Sequence, residues 1–266
     1  MKRTYGWLRQ PHDDRDLRYV VPTRLTAVLP TSIDLAPHMG PQLDQQDLGA
    51  CGPNTADECI EFDQAAEGEP IVSASRLFIY YATRMLMGTV GEDSGVDNRT
   101  LLKALNKYGF CAESLWPYVT SKFTVKPPKA CFTAALKNCI RNYAAVAQTH
   151  SQMCGTLTTG RPFVFGFDCF AALESDSVAA TGILPTPRAG QTPIGGHDVT
   201  ICGFTTIDRP GIKKGNKWPK NTYRARNHWV LDDGTPHGDG GYLYVPFAYA
   251  ENAKYASDFW VVNAIP

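Results

Sequence analysis

The sequence predicts an α+β protein with two lobes. Apolar residues at helical spacing, bounded by helix start and stop signals, concentrate between residues 51 and 108. Apolar runs separated by Gly and Pro turns dominate from residue 163 onward. With 266 residues, the chain can build two lobes of about 100 residues, each with its own core.

The elements follow in order. Residues 1–30 are polar and proline-punctuated, and they read as an extension lying on the surface or across another feature. Short extended pieces broken by Pro37, Gly40 and Pro41 lead to a helix that opens at Cys51. Gly52 and Pro53 suit its first turn, Ala56, Cys59, Ile60 and Phe62 keep helical spacing, and Gly68 and Pro70 end it. A second helix is expected over Ser75–Leu86 with Ser75 as its cap, and a third over Arg99–Tyr108 with Gly109 as its stop. Trp116-Pro117-Tyr118 and Pro127-Pro128 read as loop. Strands are expected at Phe163–Phe167, Val199–Phe204, Arg224–Leu231, Tyr242–Val245 and Phe259–Val262.

Composition narrows the function classes. Hydrophobic residues make up 43% and charged residues 20%, which excludes a wholly disordered chain. Lys+Arg and Asp+Glu each number 26, so no bulk basic charge points to nucleic acid. No apolar run is long enough to span a bilayer as a helix. Met1-Lys2-Arg3 is a basic start without the apolar stretch of a signal peptide, so the compartment stays open. Eight cysteines occur with no Cys-x-x-Cys pair, which argues against a zinc ribbon or a redox motif, and most are expected to be buried. His228 and His237 read as turn or surface residues rather than metal ligands. The cations Arg209, Lys213, Lys214, Lys217 and Lys220 read as an exposed hairpin loop, with an electrostatic lip for acidic substrates as the alternative.

The candidate chemistry lies in three separated segments. In Gln45-Gln46-Asp47-Leu48-Gly49-Ala50-Cys51, a thiol at a helix start feels the partial positive charge of unpaired N–H groups, which favours the nucleophilic thiolate. Gln45, six residues upstream, is placed to supply an amide N–H to an oxyanion beside the Cys51 N–H, with Gln46 as its competitor. In Gly195-Gly196-His197-Asp198-Val199, the two glycines allow close approach and His197 opens an apolar strand. In Arg226-Asn227-His228-Trp229, an amide oxygen can hold the orientation of an imidazole.

The order Gln45, Cys51, His197, Asn227-x-Trp229 resembles the papain-like cysteine peptidases. His197 follows Cys51 by 146 residues (197 − 51), within the family's range of about 130–150. Ser75-Arg76-Leu77-Phe78-Ile79-Tyr80-Tyr81, Asp93-Ser94-Gly95, Glu113-Ser114-Leu115-Trp116-Pro117-Tyr118 and Gly238-Asp239-Gly240-Gly241-Tyr242 are similar to a bacterial and viral branch. The resemblance covers about residues 31–266. It implies a papain-like two-lobe fold, with a mainly helical N-terminal lobe (about 51–135), an antiparallel β-barrel-like C-terminal lobe (about 136–250), termini crossing between them, and the active-site cleft at the seam.

By that resemblance, Cys51 is the nucleophile, His197 its acid–base partner, Asn227 the orienting group and Gln45 the oxyanion donor. Trp229 shields the His–Asn contact. Gly95, Gly196 and Trp229 are expected on the substrate side, and a residue within Tyr255–Asp258 at the floor of a side-chain pocket. The implied activity is peptide-bond hydrolysis of peptide or protein substrates through an acyl-enzyme, with no metal and no cofactor. The 1–30 segment is short beside the propeptides of many relatives; it reads as a frayed or packed arm, with partial occlusion of the cleft as the functional alternative. The sequence departs from the family at Leu48 (many relatives have Cys), Gln46 (a Gly), Gly52 (an aromatic) and Asp198 (a small residue). An inactive binding protein of this fold and a Cys–His acyltransferase are the alternatives.

Overall fold

A computed structural model describes residues 3–263, the last of them in backbone only. Met1, Lys2 and residues 264–266, which the sequence division places in the extension and at the end of the peptidase domain, lie outside the described residues.

Helices α1 (Thr23–Ala27), α2 (Cys51–Glu67), α3 (Arg76–Met87) and α4 (Asn98–Tyr108) come first, followed by α5 (Lys129–Ala135), α6 (His150–Thr158), α7 (Asp176–Thr181) and α8 (Phe247–Ala250). The strands are β1 (Ser32–Asp34), β2 (Asn142–Ala145), β3 (Phe163–Cys169), β4 (Gly195–Thr205), β5 (Arg209–Pro210), β6 (Lys217–Trp218), β7 (Thr222–Arg226), β8 (Tyr242–Pro246) and β9 (Ala256–Asn263).

The helix signals act as the sequence predicts. Gly68, at φ 72°, closes α2 in the left-handed region that costs glycine nothing. Ser75 Oγ accepts the Phe78 N–H at 3.1 Å and starts α3. The third helix begins one residue earlier than expected, because Asp97 caps it by accepting the Thr100 N–H at 2.8 Å.

Helix α2 is central, with every residue from Cys51 to Gln64 buried. Its buried acids therefore need partners. Asp57 accepts the Ala74 N–H at 2.6 Å, Glu61 accepts the Ser73 hydroxyl, and Asp63 pairs with Arg161 at 3.3 Å.

The main sheet runs β2-β9-β3-β4-β7-β8, all antiparallel, with β1 pairing the far end of β4. One core fills the face of Phe163, Phe165, Val199, Ile201, Leu243 and Val261. On the other face Val164 and Trp260 join Ile60, Leu77 and Leu105 of the helices in a second core.

The barrel-like closure expected from the sequence does not form, because β2 and β8 end an open sheet. Each edge is instead covered by irregular chain, which satisfies its free backbone groups. Residues 17–19 bond Ala145 beside β2, and Gly182 and Leu184 bond Tyr244 in β8. The expected strand Arg224–Leu231 stops pairing at Arg226, where the chain leaves the sheet to place Trp229 against His197. The basic stretch forms the β5–β6 hairpin. Buried Asp239 pins it by accepting the Ile212 and Lys213 N–H groups at 2.5 and 2.7 Å, so the Gly238-Asp239-Gly240-Gly241 loop anchors chain.

Candidate active site

Cys51 is the first residue of α2, and its N-cap, Ala50, offers no side chain to the free N–H groups. Strand β4 passes over this helix start, with the Asp198 carboxyl beside Gly52, and the backbone of Gly6 lies close by against Gly49. His197 therefore stands on the strand that roofs Cys51. Its Nε2 donates to Asn227 Oδ1 at 2.9 Å, which leaves Nδ1 unpaired among the described contacts. Trp229 stacks on the His197 ring, with centroids 4.2 Å apart and planes 20° from parallel. Asn227 Nδ2 contacts His237 Nδ1 at 3.1 Å, so the amide is held at both ends.

Gln45 is buried before α2. Its Nε2 donates to the Leu48 and Thr4 carbonyls, both at 3.0 Å, and its backbone N–H donates to the His228 carbonyl at 2.9 Å. Gln46, the competitor, has φ 56°, which places a side-chain residue in strained left-handed backbone beside the site.

The departures Gly52 and Asp198 fit each other. A Cβ at Gly52 would meet Leu101 and Val96 at 3.0 Å and Asp198 Oδ2 at 3.5 Å. The carboxyl of Asp198 thus packs against the first turn of α2, in the space that a larger residue 52 would claim. It accepts from Asn98 Nδ2 at 3.1 Å. Strand alternation predicts that Asp198 faces away from the thiolate. Because α2 lies under that face of β4, the Asp198 carboxyl instead packs beside Gly52, next to Cys51, and burial pushes it well above the usual carboxylate range.

The chain's own N-terminal arm lies across these residues. Arg3 lies over the Trp229 ring at 4.6 Å, and the Thr4 carbonyl takes the Gln45 amide. Gly6 passes between Gly49 and Gly95. A Cβ on Gly6 would come within 2.0 Å of the Gly49 carbonyl oxygen, and one on Gly95 (φ 72°) within 2.2 Å of the Gly6 oxygen. Val96 N–H donates to Gly6 O at 2.8 Å, Leu8 N–H to Val96 O, and Trp7 N–H to Gly196 O, the last two at 3.0 Å. The Trp7 indole, 5% exposed, fills a pocket walled by Gly166 and Gly196, and its Nε1 donates to Asp258 Oδ2 at 2.9 Å. Further along, Asp16 forks onto Arg99 at 2.6 and 2.8 Å.

Electrostatics follow from this closure. Burial pushes the Cys51 thiol up to about 12, with Asp198 adding to it. Burial, followed by the neighbouring His228, holds the His197 imidazole well below its ordinary value. With the arm seated, both groups are held neutral. Burial also pushes the Asp258 carboxyl up to about 6.

The structure brings His197, Asn227 and Trp229 into direct contact and sets β4, which carries His197, against the start of α2. It places Gly95 and Gly196 along the arm's backbone, and it spends the Gln45 amide on Thr4. Sequence reading missed His228 and His237, which are fully buried rather than exposed turn residues. It also missed Trp7 and Gly6. A tryptophan beside a glycine in an otherwise polar arm was the available signal. All eight cysteines are free, and only Cys139 is not buried.

A cysteine that opens the central helix, and a strand histidine bonded to an asparagine and stacked on a tryptophan, in this α+β frame, match the cysteine-peptidase class of papain-like architecture. A peptidase C1-like protein of Acanthamoeba polyphaga mimivirus is 31% identical over a 290-residue alignment that covers 100% of this chain and 88% of the relative. Xylellain, a cysteine protease from Xylella fastidiosa, superposes with a TM-score of 0.87 at 31% identity, covering 98% of this chain and 96% of that one. Procathepsin B from Trypanosoma congolense shares the fold, with a TM-score of 0.73 at 16% identity, covering 98% and 87%. No family model matches the chain. The chain belongs to the papain-like cysteine peptidase family, in a branch with bacterial and viral members.

Proposed function

We propose that this chain hydrolyses peptide bonds, and that its own N-terminal arm holds the catalytic pair closed until displaced. The observation that carries the reading is the His197 Nε2–Asn227 Oδ1 bond at 2.9 Å, which fixes the ring and leaves its Nδ1 without a hydrogen-bond partner among the described residues. In this reading Nδ1 takes the thiol proton and the Cys51 sulfur attacks the substrate carbonyl. The oxyanion collects the Cys51 N–H and the Gln45 amide N–H that Thr4 now occupies. The imidazolium returns its proton to the leaving amine, and a water activated by the same ring releases the acid product.

Displacing the arm wets the pair, which lowers the thiol's proton affinity and raises that of the ring, so the thiolate–imidazolium state becomes accessible. The division into a helical lobe around α2–α4 and a β-rich lobe around the sheet, with the cleft at their seam, is part of the same proposal. Support comes from the arm's backbone pairing with Val96 and Gly196, the surfaces where a substrate chain would lie. Substrates are peptides or proteins.

The test is cleavage of a peptide library by the parent and by Cys51→Ala, before and after the arm is removed by limited proteolysis. The expected result is turnover that rises on trimming and vanishes in Cys51→Ala. Turnover that survives in Cys51→Ala ends the assignment. Transfer to added amines without hydrolysis would mark an acyltransferase, and specific peptide capture without turnover would mark a binding protein.

A further inference from the structure

We propose that Glu58, with His228 and Thr200, forms a buried bracket that positions the nucleophile helix, the histidine strand and the asparagine segment relative to one another. The proposal rests on the cysteine-peptidase reading above. Glu58 lies seven residues after Cys51 on α2, two turns along the same helix face, and is 2% exposed. Its Oε2 accepts the Thr200 hydroxyl at 2.7 Å and lies 3.0 Å from His228 Nε2. Its Oε1 lies 3.6 Å from Arg226 Nε.

One carboxylate on α2 therefore meets two further chain segments. Thr200 is on β4, three residues after His197. Arg226 and His228 flank Asn227. The bracket also reaches the oxyanion side, because the His228 carbonyl accepts the Gln45 backbone N–H at 2.9 Å. Arg226 extends it by donating to the Tyr242 hydroxyl at 2.5 Å and the Gly40 carbonyl at 2.9 Å.

None of these side chains faces a substrate, so they are positioning residues. A buried carboxylate is a poor source of stability when an apolar residue of like volume would serve. Its hydrogen bond to Thr200 and its close approach to His228 and Arg226 do fix where three independent segments meet. A shift of the Asn227 segment relative to β4 lengthens the His197–Asn227 bond. Misplacement on that scale lowers a rate while leaving binding surfaces such as Val96 and Gly196 in place.

Glu58→Gln keeps an acceptor for Thr200 and loses the charge facing His228 and Arg226, whereas His228→Gln removes the ring. Two readouts separate positioning from folding. The first is the split of kcat from KM on trimmed protein. The second is the water-exchange rate of the His197 ring Nε2–H in the full, histidine-labelled chain, followed by NMR. Both variants should lose kcat by about 10- to 100-fold with KM within about twofold. Both should also exchange the ring proton about tenfold faster than the parent, at a melting temperature that still leaves the chain folded.

Folded variants with parental kcat and parental exchange would overturn the proposal. Where Glu58→Gln does not fold, His228→Gln and Thr200→Val each remove one limb of the bracket and carry the same readouts. A parent without peptide turnover would defeat the peptidase reading alone, since proton exchange still decides whether the bracket holds His197 on Asn227.

Discussion

Replacing Trp7 by Ala tests the arm most directly. The indole is almost fully enclosed and its Nε1 donates to Asp258. Burying an aromatic of this size removes about 150–250 Å² from water, worth about 4–6 kcal/mol at about 25 cal/mol per Å². That is an upper bound, since a released arm is not fully extended. Truncations of large aromatics cost about 3–5 kcal/mol. Most of this loss should fall on docking of the arm, because the pocket walls Gly166 and Gly196 belong to strands held by their own ladder. A docking constant weakened by about 3–5 kcal/mol opens the cleft about 10²- to 4 × 10³-fold more often. The assay is the rate of Cys51 alkylation by iodoacetamide, read by mass spectrometry, with the other seven cysteines as internal references. Trp7→Phe keeps most of the buried area and loses the bond to Asp258, so about tenfold faster labelling is expected there. Labelling of Trp7→Ala within twofold of the parent, in a folded chain, would refute the view that Trp7 holds the arm in the cleft.

Gly6→Ala should release the arm as fully as Trp7→Ala, because its Cβ would strike the Gly49 carbonyl at 2.0 Å. Parental labelling of Cys51 in that variant would show that the strand passes elsewhere. The pH dependence has a definite sign. The closed form binds the Cys51 proton more tightly than the open form and the His197 proton less tightly. Raising the pH toward thiol ionisation and lowering it toward ring protonation therefore both favour release through these two groups. The acid limb of Cys51 alkylation in Trp7→Ala should accordingly lie at lower pH than in the parent, and coincident limbs would contradict the burial argument.

How much of this was legible in the sequence differs by residue. Cys51 as a helix opening could be read from Gly52 and Pro53, and the stops at Gly68 and Gly109 from the need for positive φ, because these signals act within a few residues. The glycines around His197 and the order Asn227-x-Trp229 pointed to side chains that lie in direct contact, although the distance from Cys51 to Asn227 exceeds the usual range. The short elements β2, α5, α6 and α7 left too little periodicity to find, since four to nine residues carry only one or two turns or pleats. The open sheet also escaped prediction, because its edges are covered by chain 120 or more residues away in one case and by irregular backbone in the other.

The sequence by itself determined the helix-then-strand order and the residue types that can exchange a proton and hold a ring. Only the tertiary structure decided that Trp7 packs against Gly166 and Gly196, that Gly6 passes between Gly49 and Gly95, that Asp198 occupies the space left by Gly52, and that His228 lies buried against Glu58. Each of those outcomes depends on shape and desolvation between segments remote in the chain. Such contacts leave no periodic trace along it, whereas caps, turns and strand alternation are set by a residue and its immediate neighbours.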